Sequence, residues 1–170
     1  MDAPTATLSS SVADRLAVED VIYRYSDAVT RADWVQCEST FRPDAIWESP
    51  LLDMRYESAR AFLDVLAETT GFDLLIQTAH SPVIELVDDT HAKATTTVRE
   101  LVLGQAFMDN SLGETGTVQN FEQIGVYFDD VVKADGEWKF AHRLFVPMYV
   151  SMGVITGQAI APRASLLRPR

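Results

Sequence analysis

The stretch Gly125-Val126-Tyr127-Phe128-Asp129, followed by Asp135-Gly136-Glu137-Trp138-Lys139-Phe140-Ala141-His142-Arg143, decides the fold. Gln123 to Val132 is rich in β-branched and aromatic residues, and Trp138 to Val150 resumes the same composition. Between them Ala134-Asp135-Gly136-Glu137 supplies an Asp-Gly pair, which tolerates the φ > 0 of a tight hairpin turn. The pattern predicts two long antiparallel strands joined at Asp135-Gly136.

Upstream of this hairpin the same extended character persists. Phe72 to Val87, Ala92 to Phe107 and Thr117 to Val132 are β-rich runs. They are separated by the turn clusters Asp88-Asp89-Thr90-His91 and Asp109-Asn110-Ser111-Leu112-Gly113. Along the second run Ala94, Thr96, Val98 and Glu100 share one face, and Thr95, Thr97 and Arg99 share the other. If the first set faces the helices, Glu100 is a carboxylate in a largely apolar interior, where desolvation raises a carboxyl pKa. The alternative is an ion pair with Arg99 or another arginine on the outer face.

Before Gly71 the period is helical. Val18, Val21, Ile22, Tyr25, Ala28 and Val29 form the stripe of an amphipathic helix, with Ser11 and Asp14 as a cap at its start. A second helix is expected over Trp34 to Phe41, ending at Arg42-Pro43 because proline pushes its predecessor out of the α region. Ala45 to Ser49 reads as a short strand. Glu57 to Thr69, carrying Ala61, Phe62, Val65 and Leu66, reads as a third helix. Helices followed by a long meander define an α+β fold rather than an alternating α/β one.

The 170 residues suit one domain, expected over 11–153, with flexible tails at 1–10 and 154–170. A net charge of −11 argues against a nucleic-acid surface, which needs clustered lysine and arginine. The single Cys37 forms no internal disulfide and points to a reducing compartment, so a cytoplasmic location is expected. No stretch reaches the ~20 apolar residues of a membrane span, and the N-terminus has no signal-peptide pattern. Three histidines without a short pair, one cysteine and no Gly-rich phosphate loop give no metal or nucleotide signature, so cofactor-free chemistry is expected.

Tyr25-x-x-Ala28-Val29-Thr30-Arg31-Ala32-Asp33-Trp34, then Phe41-x-Pro43-Asp44-Ala45, combine with the terminal hairpin in an order that resembles SnoaL-like (nuclear transport factor 2-like) domains over about residues 12–150. The nearest resemblance is to the scytalone dehydratase and hexachlorocyclohexane dehydrochlorinase group. It implies a cystatin-like cone: three N-terminal helices on a curved, mainly antiparallel sheet, with a pocket at the open end.

Enzymes of that group remove a proton with a histidine supported by an aspartate inside the cone. The resemblance maps the histidine onto His80, in Gln77-Thr78-Ala79-His80-Ser81, where an imidazole would titrate near neutral pH. A hydrogen-bonded core histidine is the alternative. The aspartate position is held by Thr30, which cannot carry the charge that stabilises an imidazolium. Asp27, one turn earlier, is a substitute candidate, whereas Asp33 matches a structural aspartate. A lysine of the dehydrochlorinase pattern falls on Tyr25, and the second histidine of the dehydratase pattern falls in Thr95-Thr96-Thr97. Arg143 matches an arginine of the dehydrochlorinase pattern and either steadies an anion or pairs with Asp44 or Asp129. Tyr25, Trp47 and Tyr127 are candidates for a pocket wall, or simply for the core.

The expectation is thus a cofactor-independent dehydratase, isomerase or cyclase acting on a small hydrophobic, aromatic or polyketide-like molecule, with His80, Asp27, Thr30, Glu100 and Arg143 as its catalytic set. The alternatives are a non-catalytic ligand-binding domain or, third, an assembly partner like a dioxygenase small subunit. A homodimer or higher homo-oligomer is expected from an exposed sheet face.

Overall fold

A computed structural model of the chain describes residues 4–68, 72–104, 120–152, 155 and 160. The turn expected at Asp109 to Gly113, the helix stop at Gly71 and most of the tail expected over 154–170 lie outside the described residues. Helix α1 spans Pro4–Arg31, α2 Trp34–Ser39 and α3 Ala59–Glu68. Strands β1 (Phe41–Ser49) and β2 (Met54–Tyr56) are joined by a 3₁₀ turn at Pro50–Leu52. After α3 come β3 (Leu74–Ala79), β4 (Val83–Leu86), β5 (His91–Leu103), β6 (Phe121–Ala134) and β7 (Glu137–Ser151).

The strands form one sheet in the order β2-β1-β7-β6-β5-β3, with β4 also on β5. Among the described residues only β1 with β7 is parallel; the other pairs are antiparallel. Three helices packed on a curved, mostly antiparallel sheet make an α+β fold, as the residue pattern indicates. The hairpin turns at Asp135 and Gly136, whose φ of 52° and 83° are the left-handed values that an Asp-Gly turn accommodates.

The stripe on α1 is buried throughout: Val18, Val21, Ile22, Tyr25, Ala28 and Val29 each expose 4% or less. It lies against β3, β4 and β7. The helix begins at Pro4, so Ser11 and Asp14 do not start it, and residues expected as a loose tail are helical. Asp14 instead ties α1 to the hairpin, its Oδ1 accepting from Lys133 Nζ at 2.7 Å and Trp138 Nε1 at 2.9 Å.

Two departures from simple alternation shape the interior. The first extended run is broken into β3 and β4 at His80-Ser81-Pro82, since proline offers no N–H to the ladder. In β7 the register slips between Asp130↔His142 and Val131↔Phe140, leaving one extra residue at Ala141. This bulge brings Phe140 and Arg143, an odd number of residues apart, onto the same buried face.

Candidate functional site

Cross-strand pairing arranges the concave face, under α1, in rows. Gln77, Glu100 and Gln123 are direct partners across β3, β5 and β6. An apolar row of Leu75, Val102 and Phe121 lies on one side, and the small-residue row Ala79, Val98 and Gly125 on the other. Further along come Thr96 with Tyr127 and Phe145, then Ala94 with Asp129, Arg143 and Trp47.

The Gln77–Glu100–Gln123 row is a continuous hydrogen-bonded network. Gln77 Nε2 donates to Glu100 Oε1 at 2.5 Å, and Gln123 Nε2 donates to Glu100 Oε2. Ser26 Oγ, from α1, donates to Gln77 Oε1 at 3.0 Å. Thr30 Oγ1 accepts from the Gln77 backbone N–H at 3.0 Å and donates to its carbonyl at 3.3 Å. Each Glu100 oxygen thus accepts one side-chain amide N–H. Gln123 Oε1, on the same amide that grips Glu100, is buried and has no partner. Glu100 itself is only half-buried.

Farther along the face Arg143 is 1% exposed and bound to Asp129, with Nε to Oδ1 at 2.7 Å and Nη2 to Oδ2 at 3.1 Å. Its guanidinium carbon lies 4.1 Å from the ring centre of Tyr25 and 3.9 Å from those of Tyr127 and Phe140. Burial is the largest single influence and works against the Arg143 charge, but Asp129, Tyr25 and Tyr127 together outweigh it and leave the pKa above its ordinary value. Burial raises that of Asp129, with Arg143 opposing. The Tyr25 and Tyr127 hydroxyls lie 3.4 Å apart, and desolvation pushes both phenols well above their usual range. Arg143 Nη1 and Thr96 Oγ1 are buried without partners.

The placement of the sequence-derived candidates is mixed. Glu100 faces the interior with Ala94, Thr96 and Val98, as alternation implies. Arg143 makes the Asp129 pair, one of the two readings open for it, whereas Asp44 pairs with Arg42. Tyr25, Tyr127 and Trp47 are core residues, Trp47 stacked on Phe62 at 4.7 Å. Thr30 reaches the interior.

His80 does not. It is exposed just beyond the end of β3, anchored by its backbone N–H to the Thr97 carbonyl at 2.9 Å. Leu75, Gln77 and Ala79 set the inward phase of β3, so an even-numbered residue points out. Gln77, not His80, is the residue that meets Thr30. Asp27 is also outside. It is exposed on α1, where it accepts from Arg31 at 2.6 Å and Gln36 at 2.7 Å, and it braces the α1–α2 corner. Of the other histidines, His91 is exposed and His142 faces away from Arg143, toward Glu48 at 3.0 Å and Asp130 at 3.6 Å.

Sequence reasoning missed Gln77, Gln123 and Ser26. The signal was present as parity: Gln77 shares the phase of Leu75, and Gln123 that of Tyr127 and Asp129. Among the described residues no group of three or more His, Cys, Asp or Glu is placed to hold a metal ion, and no helix is long and apolar enough to cross a membrane.

Solved structures share this architecture at low identity. A Novosphingobium aromaticivorans protein provisionally assigned as a scytalone dehydratase is 19% identical, with a TM-score of 0.69 over 96% of this chain and 99% of its own. The hexachlorocyclohexane dehydrochlorinase LinA-type3 of Novosphingobium barchaimii is 20% identical, with a TM-score of 0.69 over 90% and 97% of the two chains. A LinA type 2 dehydrochlorinase gives 19% and 0.71 over 90% and 96%. No curated protein sequence matches the chain. A SnoaL-like domain model, however, matches residues 10–144 continuously, from the stripe of α1 through the hairpin to Arg143, and the chain belongs to the SnoaL-like domain family.

Proposed function

We propose that this domain binds a small, largely apolar molecule between α1 and the concave face of the sheet, as a ligand-binding member of its family rather than a histidine-dependent lyase. The observation that carries the reading is the Thr30–Gln77 contact. Thr30 holds the position that the resemblance gives to the supporting aspartate, its partner is Gln77 rather than His80, and neither threonine nor glutamine takes up a proton near neutral pH. All three histidines of the chain lie elsewhere. The apolar rows flanking Glu100 supply the dispersion surface, and Glu100 with its glutamines supplies the polar contact that orients the guest.

A second reading keeps the domain an enzyme, a cofactor-independent lyase or isomerase, and one observation favours it: Glu100 is a carboxylate on the interior face, a group that can serve as general base. A single experiment separates the two. The protein is incubated with a panel of aromatic and alicyclic molecules while tryptophan fluorescence, melting temperature and product formation are followed. Saturable binding is expected, with a stabilisation of about 2.7 kcal/mol at a hundredfold excess over Kd and no conversion. Turnover that persists in His80→Ala and vanishes in Glu100→Gln would replace the binding reading with the enzymatic one.

A further inference from the structure

Strand β5 alternates as a strand with one wet face should, its outward residues being His91, Lys93, Thr95, Thr97 and Arg99. Strands β6 and β7 do not. Their outward positions pair as Ile124 with Tyr149, Val126 with Val146 and Phe128 with Leu144, a block of apolar side chains. The extra residue Met148 turns Tyr149 onto the same face as Val146. Among the described residues α1 closes the concave side and α3 stacks Phe62 on the inward-facing Trp47. On the opposite face Phe128 and Tyr149 stay 46% and 54% exposed. Apolar residues on both faces are the pattern of a strand that is covered on both.

From this we infer that the convex face of β6 and β7 docks on the same face of a second copy, about a two-fold axis running along the strands between β6 and β7. Sheets packed face to face keep their strands within about 30° of each other, which such an axis provides. It sets Phe128 of one copy against Leu144 of the other, Val126 against Val146, and Ile124 against Tyr149. The next row brings Asp130 over His142, a carboxylate over an imidazole that can donate to it. Shape agrees with this pairing. Valines form the middle row and larger residues lie on either side, so side chains lengthen where two convex sheets diverge. The charges bordering the block are paired within the chain, Arg99 with Glu122 at 2.6 Å, and Glu48 with His142 at 3.0 Å and with Arg55. The net charge of −11 is therefore not concentrated at the seam. Over the nine-residue length of β1, the strands β5, β6, β7 and β1 offer roughly 600 Å² of face before side-chain relief is added. That approaches the ~800 Å² per partner of a standard interface. The concave side stays open in such a dimer, so the inference stands apart from the ligand-binding reading.

Sedimentation velocity of the intact protein over a wide concentration range tests it, and a particle of twice the chain mass is expected. Val126→Glu and Val146→Lys each put a charge at the middle of the seam. Each is expected to weaken the dimer at least about a hundredfold, with an unchanged circular dichroism spectrum. Mixed in equal amounts, the two variants should recover the dimer, because the introduced carboxylate of one meets the introduced ammonium of the other. Phe128→Ser, at a position exposed in the single chain, should weaken the dimer without disturbing the core. A wild-type protein that stays monomeric overturns the inference, and so does a trimer. A dimer that persists in all three variants overturns it as well. A mixture that remains monomeric overturns the axis that sets β6 against β7. The wild-type mass is read without any mutation, so a misfolded variant does not block the test.

Discussion

Arg143 is the largest fully buried side chain among the described residues, and its surroundings explain why it can be there. Two hydrogen bonds to Asp129 match the fork of the guanidinium to a carboxylate, and three aromatic rings at about 4 Å replace water on its faces. Such a pair contributes little net stability, yet removing one member strands a charge. Arg143→Met is therefore expected to destabilise the fold by about 3–5 kcal/mol in urea denaturation, and Asp129→Leu in the same chain to recover most of that loss. A loss below 1 kcal/mol for the single variant would show that Asp129 is protonated in the folded state. The arginine was legible as a candidate from its place after Asp135-Gly136, but its partner was not, because the sequence left Asp44 and Asp129 equally open.

At the scale of single elements, β6 and β7 owe their shape to one glycine and to two inserted residues of β7, Ala141 and Met148. Gly125 sits on the inward face, and a Cβ there would lie 2.4 Å from Phe145 Cε2 and 2.8 Å from the Val146 carbonyl oxygen. The second contact is with backbone, which cannot swing aside as a side chain would. Gly125→Ala is expected to cost about 1–3 kcal/mol, seen as a lower urea midpoint with an unchanged slope. The same substitution tests the row structure of the concave face, since Phe145 fills the space that the missing Cβ leaves. The turn at Asp135-Gly136 was readable from two residues. The bulge at Ala141 was not, since strand periodicity carries no sign of where a register slips.

On the scale of the whole molecule, the long helix α1 closes the concave face, and Asp14 fastens its N-terminal half to the hairpin. The Lys133 ammonium and the Trp138 indole N–H bonded to its side chain hold the Asp14 pKa below the ordinary 3.8. A depressed acid contributes stability that is complete above its unfolded value and is lost as pH falls through the folded one. The helix-to-hairpin contact should thus weaken below about pH 4, and Asp14→Asn should remove that part of the acid transition at a cost of about 1 kcal/mol at pH 7. Urea midpoints between pH 2 and 7 for both proteins check this. Parallel curves would rule out the contribution of Asp14.

The order of the main helices and strands, the buried stripe of α1 and the division of β5 into two faces were all determined by the sequence itself, because hydrophobic period and turn chemistry are local properties, whereas which face of β5 turns inward was left to the assembled sheet. The family followed from the same local signs, in Tyr25 to Trp34 and in the terminal hairpin. The site did not. Whether His80 or Gln77 faces Thr30 depends on where the first extended run breaks and on the phase that Leu75 sets across β5. Whether Asp27 or Ser26 enters the interior depends on the rotation of α1 against the sheet. Those are relations between segments that lie dozens of residues apart, and burial against the assembled core decides them. The glutamine-held carboxylate at Glu100 exists only because three strands bring Gln77, Glu100 and Gln123 into one row.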